Sequence, residues 1–78
     1  MPKIFEKDGF KFFFYSNEHE PIHVHVWLGG GEAVFVVSGE DVELRSSVNM
    51  KVGDLSRARQ LVIENQGLIQ EKWNEFFK

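Results

Sequence analysis

The first half of the chain alternates between apolar and polar positions, which is typical of β-strands that bury one face. The pattern is clearest from Ile22 to Leu28, where the even positions are aliphatic and the odd positions hold His23, His25 and Trp27. Related patterns precede and follow this segment. The other predicted strands are 10–15, 32–38 and 42–45, and residues 4–8 are a candidate for a further short strand.

Past Ser46 the period lengthens to about 3.6 residues, which predicts helices. A first helix is expected to begin near Gly53-Asp54. Because glycine costs about 1 kcal/mol in a helix relative to alanine, we predict a break around Gln66-Gly67 and a second helix from Leu68 to about Phe77. At helical spacing, three aromatic residues of the second helix are expected in the core: Trp73, Phe76 and Phe77. The predicted fold class is α+β, an antiparallel sheet of about four strands with the two C-terminal helices packed on one face.

The strand pattern also predicts which side chains remain on the uncovered face of this sheet. If the even positions of 10–15 and 22–28 face the helices, the odd positions share the opposite face. The predicted binding surface and its histidines are therefore Lys11, Phe13, Tyr15, His23, His25 and Trp27.

Length and charge narrow the classes of protein further. Seventy-eight residues are expected to form a single domain, 1–78, because a second core would be too small to fold. The net charge of −3 disfavours binding to duplex DNA. No apolar run reaches the length of a membrane span, and the first residues lack the apolar core of a signal peptide. With no cysteine present, a cytoplasmic location without membrane association is expected.

All three histidines fall between His19 and His25, with Pro21 as a spacer. On a strand, the Cα atoms of His23 and His25 lie about 6 to 7 Å apart, so their rings can converge on one divalent transition metal ion, with His19 completing the site. Further candidate oxygen donors are Glu18, Glu20 and Glu32.

A second interpretation is catalysis without a metal. Two imidazoles that titrate near neutral pH can act as general acid and base in RNA cleavage, with His19, His23 and His25 as the candidate catalytic residues. Such a reaction needs a cation beside the phosphate. The candidates for that role are Lys11, Arg45, Lys51 and Arg57.

A third interpretation makes the aromatic face a binding surface. Phe13, Tyr15 and Trp27 can stack single-stranded bases or pack against a protein partner or a second copy of the chain. The acidic net charge favours the protein partner. The alternative to all of these is structural: His19 caps the turn before Pro21, and the other two histidines are solvent-facing strand residues beside Trp27.

Several segments together resemble a small bacterial family, the domain of unknown function 4160. They are Met1-Pro2-Lys3-Ile4, the stretch from Glu18 to Val26, Glu32-Ala33-Val34 and Trp73. Within the stretch, Glu18, His19, Pro21, His23 and His25 match the most specific motif, whereas Ile22 stands where family members often have a second proline. The resemblance implies a gene often found beside that of a second small protein, as in toxin-antitoxin pairs. We therefore expect a protein-binding component of a two-protein module, with a His-based RNA-cleaving or metal-dependent enzyme as the alternative.

Overall fold

The computed structural model describes residues 3–15 and 19–77. Five strands are followed by two helices. The strands are β1 (Lys3–Lys7), β2 (Phe10–Phe13), β3 (His23–Leu28), β4 (Gly31–Ser38) and β5 (Asp41–Val48), and the helices are α1 (Val52–Glu64) and α2 (Gln66–Phe76). The predicted α+β class is confirmed. The number of strands is corrected from about four to five, because residues 3–7 pair with β2 as a full edge strand.

Each strand pairs antiparallel with its neighbour in sequence, in the order β1-β2-β3-β4-β5. The first hairpin turns at Asp8 and Gly9, which have φ values of 54° and 84°. Positive φ at both central residues matches the twist of the flanking strands, and Asp and Gly are the residues that adopt it most readily. This short connection places β1 directly beside β2.

Both edge strands carry an irregularity in their pairing. In β1 the register shifts between Lys3 and Phe5, so that Ile4 is an extra residue. In β5 the extra residue is Arg45, because Val34 pairs with Ser46 and the next residue of β4 pairs with Leu44. A β-bulge of this kind changes the side of the sheet to which the residues beyond it point.

Both helices pack against the sheet face that carries the even positions of β2 and β3. The core contains eight strand residues, Phe14 just after β2, and five helix residues; in chain order they are Phe10, Phe12, Phe14, Val24, Val26, Ala33, Phe35, Val37, Val42, Ala58, Leu61, Val62, Ile69 and Trp73. Phe5 of β1 extends this layer by stacking on Phe12, with ring centroids 4.3 Å apart. The even positions of β2 and β3 thus face the helices as predicted, but burial does not alternate, because Phe13, His23 and His25 are buried as well.

The helical layer differs from the prediction in two details. The break lies at Asn65, whose side-chain amide donates to the Leu61 carbonyl oxygen at 2.8 Å, and Gly67 is inside the first turn of α2. Trp73 is in the core as predicted and Phe77 packs against it, but Phe76 is 55% exposed, so the expectation of a buried Phe76 was wrong. Between residues 3 and 77, neither helix is long and apolar enough to cross a bilayer.

Candidate binding surface on the open sheet face

The sheet face opposite the helices, called here the open face, is built from residues that pair across neighbouring strands. Since side chains alternate along each strand, every pair in one row points to the same side. One row runs Glu6, Lys11, Trp27, Glu32 and Val48, the next runs Lys3, Phe13, His25, Val34 and Ser46, and the third runs His23, Val36 and Glu43. The residues predicted for β2 and β3 therefore do lie on this face.

The centre of the open face is a cluster of five aromatic side chains, the ring cluster: Phe13, Tyr15, His23, His25 and Trp27. The His25 ring lies between two others, 5.6 Å from Phe13 at a nearly parallel 21° and 4.0 Å from Tyr15. Trp27 meets Phe13 edge to face at 5.9 Å. Ring contacts of these geometries stabilise by about 0.5 to 1.5 kcal/mol each beyond the burial of area. The cluster is therefore a packed unit rather than five independent side chains.

A carboxylate from β4 contacts two of these rings and hydrogen-bonds one of them. The Tyr15 hydroxyl donates to Glu32 Oε2 at 2.8 Å, and Nδ1 of His25 lies 3.4 Å from the same oxygen. Glu32 is paired with Trp27 in the ladder, one row away from His25. Glu32, a candidate oxygen donor from its place in the sequence, thus lies beside His25 in the structure.

His23 is oriented by the backbone. Its Nδ1 donates to the Pro21 carbonyl oxygen at 2.7 Å, and because a carbonyl can only accept, the proton of the neutral ring is on Nδ1. The ring lies 5.5 Å from that of His25 and 5.3 Å from Trp73 of α2, so it connects the ring cluster to the helical layer.

Burial of the two histidines was not predicted. His23 is 6% exposed and His25 is 8% exposed, although both lie on the open face, so the interpretation of them as solvent-facing was wrong. The cause is the packing of neighbouring rings over them, above all Tyr15 over His25. In contrast, Trp27 keeps 45% of its surface exposed.

The three histidines do not form one cluster. His19 is exposed, and within the described residues no group of three His, Cys, Asp or Glu side chains is placed to hold a metal ion. Glu20 is exposed as well, and Glu18 lies outside the described residues. The predicted site of three converging histidines is therefore reduced to the pair His23 and His25.

The candidate phosphate-binding cations are spread over the fold. Arg57 of α1 binds the Asp8 carboxylate in the β1–β2 turn, and that contact raises the pKa of its guanidinium above the ordinary value. Arg45 is on β5, two strands from the histidines, and Lys51 precedes α1. Of the four, only Lys11 lies on a strand next to β3, opposite Trp27.

A pocket of about 190 Å³ opens beside the ring cluster, lined by Lys3, Lys11, Phe13 and Trp27. The Lys3 ammonium donates to Glu6 at 3.0 Å. That hydrogen bond and the charge of Lys3, with a smaller effect from Lys11, lower the pKa of Glu6 below its ordinary value. Lys3 was not predicted on this face, because only the bulge at Ile4 brings it there and no pattern of alternation signals a bulge.

The model of the family described as Domain of unknown function (DUF4160) matches residues 9–74, a segment that contains the ring cluster, Glu32 and most of both helices. Comparison with curated proteins and with solved structures gave no match. Since the matched segment covers well over half of the chain, this protein belongs to the DUF4160 family.

Proposed function

We propose that this chain is the protein-binding component of a two-protein regulatory module of the toxin-antitoxin kind, acting in the cytoplasm, and that the open face receives the partner. The observation that carries the proposal is Trp27, which remains 45% exposed while it packs on Phe13. Tryptophans in such positions are the residues that most often dominate the binding energy of protein interfaces.

The surroundings of Trp27 support this role because they are already ordered. Glu32 holds Tyr15 by a hydrogen bond and lies beside His25, and both of those rings flank the region that a partner would cover. A surface ordered before binding loses less side-chain entropy when the partner arrives. In this proposal the two buried histidines support the surface and do not react.

Charge favours a protein over RNA as the partner. The open face carries the carboxylates of Glu6, Glu32 and Glu43 beside the ammonium groups of Lys3 and Lys11, and the whole chain has a net charge of −3. A surface that binds nucleic acid through phosphates is expected to be strongly basic. A mixed surface with an aromatic centre fits a protein interface better.

An RNA-cleaving or metal-dependent enzyme is the weaker candidate. The observation in its favour is the pair His23 and His25, whose rings are 5.5 Å apart with each Nδ1 facing an oxygen atom, as histidines that bind metals often are. Against it, both rings are almost fully buried, with Tyr15 packed on His25 and Trp73 packed on His23, so neither ring is open to a phosphodiester. Zinc titration followed by NMR tests it, since both imidazoles should shift together at micromolar ion.

The test of the proposed function uses the protein encoded beside this chain's gene as the binding partner. Both proteins are purified, and their affinity is measured by isothermal titration calorimetry. We expect Trp27→Ala to weaken binding by about 10- to 100-fold, as loss of a central tryptophan does in other interfaces. The matched control is Phe76→Ala, which removes an exposed aromatic ring from α2 and should leave affinity unchanged.

Two results would contradict the proposal. One is the absence of binding between the two proteins, and the other is equal weakening by Trp27→Ala and Phe76→Ala. If the open face instead binds a second copy of the chain, light scattering will show a dimer that Trp27→Ala converts to a monomer. That result would replace the two-protein module with a homo-oligomer.

A further inference from the structure

The pocket beside the ring cluster has an apolar interior and a cationic rim. Phe13 is buried and Trp27 stands edge to face against it, 5.9 Å away, while Lys3 and Lys11 are exposed. The pairing explains this arrangement, because Lys3 is opposite Phe13 and Lys11 is opposite Trp27. Lysine chains can cover an aromatic surface with their methylene groups while the ammonium groups stay in water.

The bulge in β1 is what completes the rim. Phe5 pairs with Phe12, so in a regular ladder Ile4 would pair with Phe13 and Lys3 would point to the helix side. The extra residue places Lys3 opposite Phe13 on the open face instead. Bulges are often found where a strand must redirect a side chain to a site.

The volume of the pocket limits the size of the group that can occupy it. Pockets for small-molecule ligands usually measure about 300 to 1,000 Å³, whereas this one measures about 190 Å³. A volume of this size suits one apolar side chain of a protein partner. Side chains of the size of leucine or phenylalanine fit such a volume.

The charge of the rim indicates which kind of partner residue fits next to that side chain. Lys3 is paired with Glu6, whereas Lys11 makes no ion pair with any residue in the described ranges 3–15 and 19–77. The lining of the pocket thus carries two ammonium groups and no carboxylate, although Glu6 and Glu32 lie nearby and the chain as a whole is acidic. A carboxylate of the partner, next to the inserted side chain, would complement this excess.

We propose that the pocket binds a segment of the protein partner in which a leucine- or phenylalanine-sized side chain is followed directly by aspartate or glutamate. The apolar side chain enters between Phe13 and Trp27, and the carboxylate meets the ammonium groups of Lys11 and Lys3. This inference rests on the proposed function and specifies the chemistry of its partner.

The direct test uses capped five-residue peptides and the complete ¹⁵N-labelled chain. The probe contains phenylalanine followed by aspartate and glutamate, with glycine at each end. One control peptide replaces both acids by lysine, and the other replaces the phenylalanine by alanine. We expect the probe to shift the amide signals of Lys11 and Phe13 and the indole signal of Trp27 in a saturable manner, with each control at least fivefold weaker.

A pair of charge reversals on neighbouring strands sharpens the test. Lys11→Glu should weaken binding of the probe about tenfold, because it places a carboxylate on the rim. Lys7→Glu is the matched control, since Lys7 is one residue beyond Glu6 and points to the other face of the sheet. It should leave binding unchanged.

The outcomes separate this inference from the proposed function. If the acidic probe does not bind, binds no better than the lysine peptide, or is equally weakened by Lys7→Glu, the inference is overturned, and the effect of Trp27→Ala on the full partner still decides the proposed function. If the probe binds as expected and Lys11→Glu also weakens the full partner, the inference is supported.

Discussion

At the scale of single residues, Gly31 is the position with the least room for a side chain. A methyl group there would overlap the carbonyl oxygen of Asn49 and come within 2.9 Å of its carbonyl carbon, whereas a methyl group on Gly30 would meet nothing within 4 Å. Gly31→Ala should therefore lower the free energy of unfolding by about 3 kcal/mol, as overpacking against fixed backbone does. Urea denaturation checks this, and a loss at Gly30→Ala equal to that at Gly31→Ala would contradict it.

The hydrogen bond from Tyr15 to Glu32 is a second single-residue feature whose contribution to stability can be measured. Tyr15→Phe keeps the ring over His25 and removes only the hydroxyl that donates to the carboxylate at 2.8 Å. We expect the free energy of unfolding to fall by about 1 kcal/mol, since a hydrogen bond to a charged group is lost at a half-exposed site. In a Glu32→Gln background the same change should cost less. Equal costs in both backgrounds would show that the two side chains are not coupled.

At the scale of elements, the helix break lies one residue before the predicted position around Gln66-Gly67. The intrinsic cost of Gly67 suggested that the break falls there, but the chain bends at Asn65, with φ −118° and ψ 21°. The side-chain amide of Asn65 donates to the Leu61 carbonyl oxygen at 2.8 Å, and the Asn65 backbone N–H donates to the same oxygen at 3.1 Å, so this residue closes the last turn of α1 with two hydrogen bonds. This local hydrogen bonding and the burial of Ile69 and Trp73 outweigh the low helix propensity of Gly67. The two helices therefore divide at Asn65, and Gly67 stays helical.

This arrangement predicts that Gly67 can be replaced without disturbing α2. A methyl group at Gly67 meets nothing within 4 Å, and the residue has helical backbone in the first turn. Gly67→Ala should raise the free energy of unfolding by about 0.5 to 1 kcal/mol. Thermal melts followed by circular dichroism measure this, with Asn65→Ala as the contrasting variant that should destabilise. A lower melting temperature for Gly67→Ala would mean that the glycine is needed for the bend.

The sheet was largely predictable, because a period of two residues is strong in β2 to β4 and fixes which side chains share a face. The extent of β5 was not, since Ser46 and Ser47 carry no hydrophobic signal and join the sheet through backbone pairing alone.

For the candidate site, the sheet face to which each side chain points was predictable, but the degree to which the side chain is buried was not. Tyr15 covers His25 and Trp73 reaches His23 through contacts distant in sequence, which alternation cannot reveal.

At the scale of the whole molecule, the two tryptophans report on opposite sides of the sheet. Trp73 is 3% exposed in the helical layer, and Trp27 lies on the open face. If residues 1–78 fold as one domain, unfolding should be a single cooperative transition. In the variants Trp27→Phe and Trp73→Phe, the remaining tryptophan's fluorescence and the circular dichroism should give the same midpoint. A midpoint for Trp27 fluorescence well below that of the backbone signal would show that the open face unfolds separately.

The bulges in β1 and β5 have a consequence for how copies of this protein behave at high concentration. A straight outer strand offers a row of amide and carbonyl groups on which another chain can extend the sheet, and an extra residue interrupts that row. In this sheet both edge strands are interrupted, β1 at Ile4 and β5 at Arg45. We therefore expect edge-to-edge association of copies to be disfavoured at both sides of the sheet, so that concentrated solutions resist the growth of fibrils.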